Sequence, residues 1–363
     1  MSRASRLIPV LACVWFFAVQ ADELSFYRLL EPKAYVIRNT YVLKNKSKIS
    51  MTRIKADVVL GAKADSPYQQ NLSYQSQPSS RYTSSDAYGN IIGRVEIDEL
   101  KPGAQKKITL EYRIKNSGIE YDSLIYALMP SYDYFISRKE NLQYLNPDVK
   151  IESDAVEIWG KAQEFDPAKT PAERAKAIYD FVNLNLKYDT NPACAHQGAL
   201  NAIRTGRGVC EEFAALFVAL CRAAGIPARV VTGYWIKEKL KPGVWYDIRS
   251  KGHAWAEFYL PEAGWVPVEP SFVYICNGER KPHPDYFAHI SPESRHFIYS
   301  YMLGDAVSSI NIKYSYTVKS SKKSDTSNQP VLDLEKAEEK IMLIDAGDEG
   351  GFLGAGIGER QIR

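Results

Sequence analysis

Arg207-Gly208-Val209-Cys210-Glu211-Glu212-Phe213-Ala214 puts a cysteine where a glycine-bearing loop turns into a helix. Downstream, Phe213, Leu216, Phe217, Leu220 and Ala224 keep the i, i+3, i+4 spacing of one helical face. Gly225 supplies the stop and Pro227 prevents continuation, so the pattern predicts a helix over Val209–Ala224. A thiol nucleophile must be a thiolate, and a free cysteine has a pKa of about 8.5. The first turn of a helix exposes Cys210 to the positive end of the helix dipole, which favours the thiolate. Gly206 and Gly208 permit the tight approach, and the Cys210 N–H is placed to help hold an oxyanion.

Two further segments complete a chemical set. Gly252-His253-Ala254-Trp255-Ala256-Glu257 carries a histidine, and Trp265-Val266-Pro267-Val268-Glu269-Pro270 carries a carboxylate. Cysteine, histidine and acid in this chain order supply nucleophile, base and orienter. Singly, each has a plainer reading: a small packing residue, a strand histidine, a solvated acid. Together, on a helix start and two successive strands, Cys210, His253 and Glu269 point to acyl transfer through a thioester. The five histidines, His196, His253, His283, His289 and His296, form no tight pair with cysteine at zinc-finger spacing. The nearest approach is His196 beside Cys194. Neither a metal nor another cofactor is expected.

The chain has 363 residues, long enough for two compact units. From Asp22 to about Leu145 the texture is β: Ile108, Leu110, Tyr112 and Ile114 alternate with Thr109, Glu111 and Arg113. Ala34–Leu43, Ile54–Leu60 and Val95–Ile97 behave similarly, with turn chemistry between them at Asp86-Ala87-Tyr88-Gly89-Asn90 and Pro102-Gly103. This predicts a β-sandwich over 22–145. After Pro147 helices appear; Thr170-Pro171-Ala172-Glu173 is a capping box with proline at the first helical position. Strands are expected at Ala228–Trp235, His253–Tyr259 and Trp265–Val268, with a catalytic core spanning 150–318. Residues 319–363 read as a flexible, dispensable tail, in which Val331, Leu334, Ile341 and Ile344 could line a short helix.

Arg3 and Arg6, the apolar run Leu7–Val19 and Val19-Gln20-Ala21 predict a signal peptide over 1–21. The run is shorter than the roughly 20 residues a membrane span needs. The mature chain is therefore expected to be periplasmic or secreted, without stable membrane insertion. A formal net charge of +3, with no basic run interleaved with aromatics, argues against nucleic acid. In an oxidising compartment Cys194 and Cys276, both in loop-like settings, could pair. Cys221 lies on the apolar helix stripe and is expected to be a buried hydrophobe.

Thr205 to Ala214, Arg222-Ala223-Ala224-Gly225-Ile226-Pro227-Ala228-Arg229-Val230-Val231-Thr232-Gly233-Tyr234, His253 to Tyr259 and Gly264 to Pro270 together resemble the transglutaminase-like core, over about Ala172 to Phe272. The upstream β region resembles the N-terminal domain often fused to bacterial members, chiefly at Asp86-Ala87-Tyr88-Gly89-Asn90. The resemblance implies an α+β fold, a β-sandwich followed by a papain-like core. It also implies a Cys210–His253–Glu269 triad acting on a protein or peptide substrate, with the cell envelope a natural setting. The family usually has Asp where Glu269 stands, which raises the question of how the longer side chain reaches the imidazole. Arg229 matches a family arginine with a structural role. For the upstream oxyanion helper, Tyr188 and Gln197 are both candidates. Hydrolysis of peptide, amide or isopeptide bonds, transamidation to lysine amines, and a non-catalytic binding module are the three functions the resemblance allows.

Overall fold

The structure is a computed structural model, and it describes residues 25–62, 66–80, 82–191, 193–301, 313–318 and 332–344. The expected signal peptide lies outside them. The chain opens with β1 (Tyr27–Asn45), β2 (Met51–Ala62), β3 (Gln69–Gln77), β4 (Tyr82–Ser85), β5 (Asn90–Leu100) and β6 (Gln105–Tyr121). There follow α1 (Asp133–Ser137), α2 (Val156–Ala162), α3 (Pro171–Asn185), β7 (Lys187–Tyr188), α4 (Ala199–Thr205), β8 (Arg207–Gly208) and α5 (Cys210–Ala223). Next come β9 (Ala228–Ile236), β10 (Trp245–Asp247), β11 (Gly252–Leu260), β12 (Gly264–Val268), β13 (Val273–Cys276) and β14 (Glu279–Pro282). The last strands are β15 (His289–Ile290), β16 (Arg295–Tyr301), β17 (Lys313–Val318) and β18 (Leu332–Leu343). This is the expected α+β architecture.

Two sheets face each other in the sandwich, one ordered β10-β18-β1-β6-β15 with β3 also on β6, the other β17-β2-β5-β4. The alternation in β6 is borne out: Ile108, Leu110, Tyr112 and Ile114 are buried while the residues between them are not. They meet Ile54, Val58 and Val95 from the opposing sheet. Each such side chain withdrawn from water is worth about 1.5–3 kcal/mol.

Three expectations need correction. The tail carries regular structure: Leu332–Leu343 is a strand, β18, paired antiparallel with β1 along its length and with β10 on its other edge. Of Val331, Leu334, Ile341 and Ile344, read as a helical face, Val331 lies outside the described residues; a bulge opposite Thr40/Tyr41 shifts the alternation of β18 between Leu334 and Ile341 and so mimics helical spacing, while Ile344 packs with Ala34 and Val36. Secondly, β17 belongs to the sandwich, on β2, so the core does not simply run to 318. Thirdly, Cys194 and Cys276 are both free thiols. Cys276 ends β13 at the hairpin turn into β14, a hairpin fastened to α3 by Arg280, whereas Cys194 sits in the Asn191 turn before α4.

The catalytic-type unit is a sheet ordered β12-β11-β9-β16 with α5 against it. From Phe213 to Cys221 every residue of α5 is buried, including Cys221 as expected. The capping box at Thr170 and Glu173 starts α3 as predicted, with Glu173 N–H donating to Thr170 Oγ1 at 3.2 Å and Thr170 N–H to Glu173 Oε2 at 2.9 Å. Arg229 has the structural role expected of it. It pairs with Glu257 at 2.6 Å, both side chains inaccessible, and lies 3.7 Å over Tyr301 and 3.9 Å over Trp265. The same Glu257 accepts hydroxyls from Ser66 at 2.6 Å and Tyr68 at 2.7 Å, which ties the segment between β2 and β3 to β11. The Asp86–Asn90 turn does similar work: Asn90 donates to the Tyr301 carbonyl at 2.6 Å and accepts its N–H at 2.7 Å, clamping the end of β16.

Candidate active site

Cys210 is the first residue of α5. The buried carboxylate of Glu212, three residues into the helix, shapes the approach. Its Oε2 accepts the Val209 N–H at 3.0 Å, and its Oε1 accepts the N–H groups of Gln197 and Gly198 at 2.8 and 3.2 Å. Val209 has no side-chain acceptor, so this is the glutamate half of a capping box only. A Cβ on Gly208 would lie 2.2 Å from that of Glu212, so the fold-back of the glutamate requires glycine there.

His253 stands on β11 directly across from Gly233 of β9. A Cβ at Gly233 would meet the Phe297 carbonyl at 1.8 Å, so β16 can approach β9 this closely only at a glycine. The imidazole ring is nearly parallel to Phe272, 5.6 Å away at 9°, and to Trp255, 6.3 Å away at 18°. Trp235 flanks it at 5.6 Å. Trp245 lies elsewhere, under the Arg38 guanidinium at 4.3 Å.

The His253 Nε2–H donates to Glu269 Oε2, which leaves Nδ1 to face Cys210. Burial alone would pull the imidazole pKa down. The Glu269 carboxylate, and then the Cys210 sulfur, reverse this and raise it to about 10. Glu269 follows the last residue of β12 and is 2% exposed. Burial pushes its carboxyl up, but His253 and, less strongly, His296 hold it well below the usual carboxylate range. Its Oε1 accepts the Ser271 N–H at 2.9 Å and the Ser271 hydroxyl at 2.5 Å. The longer glutamate therefore does reach the imidazole.

Tyr188 lies on β7, whose parallel pairing with β8 puts it beside Gly208. Its hydroxyl lies beside Cys210, and burial, followed by the influence of Cys210, pushes its pKa up to about 12. The Gln197 amide instead turns to the Ala195 carbonyl at 3.1 Å. Of the two oxyanion candidates, only Tyr188 lines the cavity over Cys210. That cavity has a volume of about 410 Å³ and is bounded also by His196, His253, Lys336 and Glu339. The last two come from β18, which the sequence did not connect with the site. His196 pairs with Glu211 rather than with Cys194.

Ser271, Phe272 and His296 also went unnoticed as site residues in the sequence. His296 Nε2 lies 3.3 Å from Glu269 Oε2. His253, Glu269 and His296 bring potential ligand atoms within 4.8 Å of one another. The direct His253–Glu269 hydrogen bond occupies the space an ion would need, so the set fits carboxylate orientation rather than metal binding. Between β9 and β11, Lys251 pairs with Glu238 and Lys237 sits 4.2 Å over Trp235.

A cysteine at a helix start, facing a strand histidine hydrogen-bonded to a buried acid, is an arrangement suited to thiol chemistry on an α+β core. Residues 160–270 match the transglutaminase-like superfamily, so that stretch is a transglutaminase-like domain. Among curated relatives, the uncharacterized protein YebA of Bacillus subtilis is 34% identical over 110 residues, 27% of this chain and 15% of that protein. A protein-glutamine gamma-glutamyltransferase of Pseudomonas aeruginosa is 41% identical over 69 residues, 19% of this chain and 10% of that protein. The chain thus spans a small part of these two relatives. In fold it is similar to the crystal structure of a candidate cysteine protease from Cytophaga hutchinsonii, with TM-score 0.52 and 16% identity over 87% of this chain and 99% of the other.

Proposed function

We propose that this chain is an exported thiol hydrolase that cleaves peptide, amide or isopeptide bonds through a Cys210 acyl-thioester. The observation that carries the reading is the His253–Glu269 hydrogen bond, which leaves Nδ1 of a raised-pKa imidazole for Cys210. The chemistry requires the sulfur as a thiolate, paired with a His253 imidazolium. The Cys210 sulfur attacks the substrate carbonyl, and the oxygen takes up negative charge near the Cys210 N–H and the Tyr188 hydroxyl. Collapse breaks the C–N bond, and the His253 Nδ1 proton passes to the departing amine. Neutral His253 then takes a proton from water as it attacks the thioester, releasing the acid and restoring the ion pair. Glu269 fixes the ring and stabilises its charge throughout.

Transamidation is the second reading, favoured by the relative named as a protein-glutamine gamma-glutamyltransferase. Here a primary amine replaces water at the last step. Export to the periplasm or medium rests on the first 21 residues, and protein or peptide of the cell envelope is the substrate class that follows. The test supplies a glutamine-containing peptide library with a labelled primary amine and follows ammonia release and amine incorporation. Cys210-dependent release without incorporation is expected. Incorporation outrunning release would favour the transferase, and no Cys210-dependent reaction with any peptide would leave a binding module.

A further inference from the structure

We propose that His296, a residue outside the superfamily match, is a positioning residue that holds the Glu269 carboxylate against His253. The inference rests on the triad reading above and adds a fourth member to it.

A glutamate has one more rotatable bond than an aspartate, so an imidazole oriented by it is less well fixed unless the carboxylate itself is fixed. A buried carboxylate also needs donors for both oxygens. Ser271 supplies two donors to Oε1, at 2.9 and 2.5 Å. Oε2 receives His253 and, at 3.3 Å, His296 Nε2. His296 is itself rigid. It is 1% exposed, lies across from Trp235 in the β9–β16 register, and stands edge-on to Trp255 with centroids 5.0 Å apart. Trp235 and Trp255 also flank His253, so one aromatic framework sets the positions of both histidines relative to one carboxylate.

The second histidine works only as a neutral donor. Two imidazolium rings on one carboxylate would divide its charge and weaken its hold on His253. Burial keeps His296 below the ordinary histidine range, and its Nε2 lies 3.3 Å from Glu269 Oε2, as suits a neutral ring carrying its proton on Nε2. The other titratable groups facing Glu269 are Tyr179, Tyr188 and Tyr286, all shifted upward by burial, so none of them changes charge near neutral pH.

The test compares His296→Ala, His296→Gln, Glu269→Asp, Glu269→Gln and His253→Ala, each alone, and the double variant His296→Ala/Glu269→Asp, in the whole chain. The readouts are the pH profile of Cys210 alkylation by iodoacetamide, and thermal unfolding as a check on the fold. Loss of a hydrogen bond to a charged group predicts about tenfold slower alkylation at pH 6 in His296→Ala. His296→Gln retains an N–H donor of similar reach and should recover most of the rate. An aspartate draws the carboxylate back from His296, so the His296→Ala effect should shrink in the Glu269→Asp background. Equal profiles for wild type and a folded His296→Ala would overturn the proposal, as would a His296→Gln no better than His296→Ala. If His296→Ala does not fold, His296→Gln decides: near-wild-type alkylation supports positioning, and a loss as deep as in Glu269→Gln opposes it. Failure of the triad reading shows separately, as wild-type alkylation that is indifferent to His253→Ala.

Discussion

His253 on β11 and Glu269, just beyond the end of the adjacent β12, form a hydrogen-bonded ion pair whose side chains are 8% and 2% exposed, facing the start of α5. An exposed pair of this kind contributes little, whereas breaking a buried pair strands a charge. The proposed chemistry and the stability of the unit would therefore be coupled through these two residues.

Removal of the imidazolium that pairs with the sulfur should be visible in Cys210 itself. His253→Ala is expected to lower the rate of Cys210 alkylation at pH 6 by about tenfold or more, with much less effect at pH 10. A profile that does not move shows that the histidine plays no part in activating the thiol.

Glu269→Gln keeps the shape and removes the charge. Turnover should fall by about ten- to a hundredfold, corresponding to the loss of a charge-assisted hydrogen bond. Glu269→Asp should retain an intermediate activity, because Ser271 and both histidines are spaced for glutamate. Steady-state kinetics on any substrate found by library screening checks both.

The pair also sets a stability window. The Glu269 carboxyl is depressed in the fold, so its contribution is present above the ordinary carboxylate pKa and lost as pH falls into the acid range. His253 is raised to about 10, so its contribution is complete below the unfolded histidine value and lost as pH rises through about 10. Thermal unfolding followed from pH 3 to 11 should give a plateau with losses at both ends. The alkaline loss should be absent in His253→Ala.

Arg229→Met should destabilise by about 3–5 kcal/mol, since it leaves the Glu257 carboxylate buried and unpaired. The double variant Arg229→Met/Glu257→Gln should recover part of this. Urea unfolding measures it, and a loss below about 1 kcal/mol would remove the pair from the account of the fold.

Deleting residues 332–363 takes β18 from between β1 and β10 and with it the buried Leu332 and Ile341. A marked fall in melting temperature is expected, together with altered cavity chemistry through loss of Lys336 and Glu339. A truncated chain that melts like the full one would restore the reading of a dispensable tail.

Local patterns made much of this fold legible. The spacing of Phe213, Leu216, Phe217 and Leu220, the Thr170 capping box and the alternation of β6 are each contained within a few turns or pleats, so they survive reading one residue at a time. Cys210, His253 and Glu269 were recognisable because each sits at an element boundary with distinctive neighbours. Tertiary structure alone decided the rest. β18 pairs with a strand from the other end of the chain, an arrangement that local periodicity does not encode and that a single bulge disguised as a helical face. His296 lies in a strand buried from end to end, with no alternation to single it out, and gains its place beside Glu269 only when β16 closes on β9. Cys194 and Cys276 looked equally free to meet, and the elements that carry them kept them apart. Sequence determined which side chains could do chemistry; long-range strand pairing determined which of them share a site, because distance along the chain carries no information about distance across a sheet.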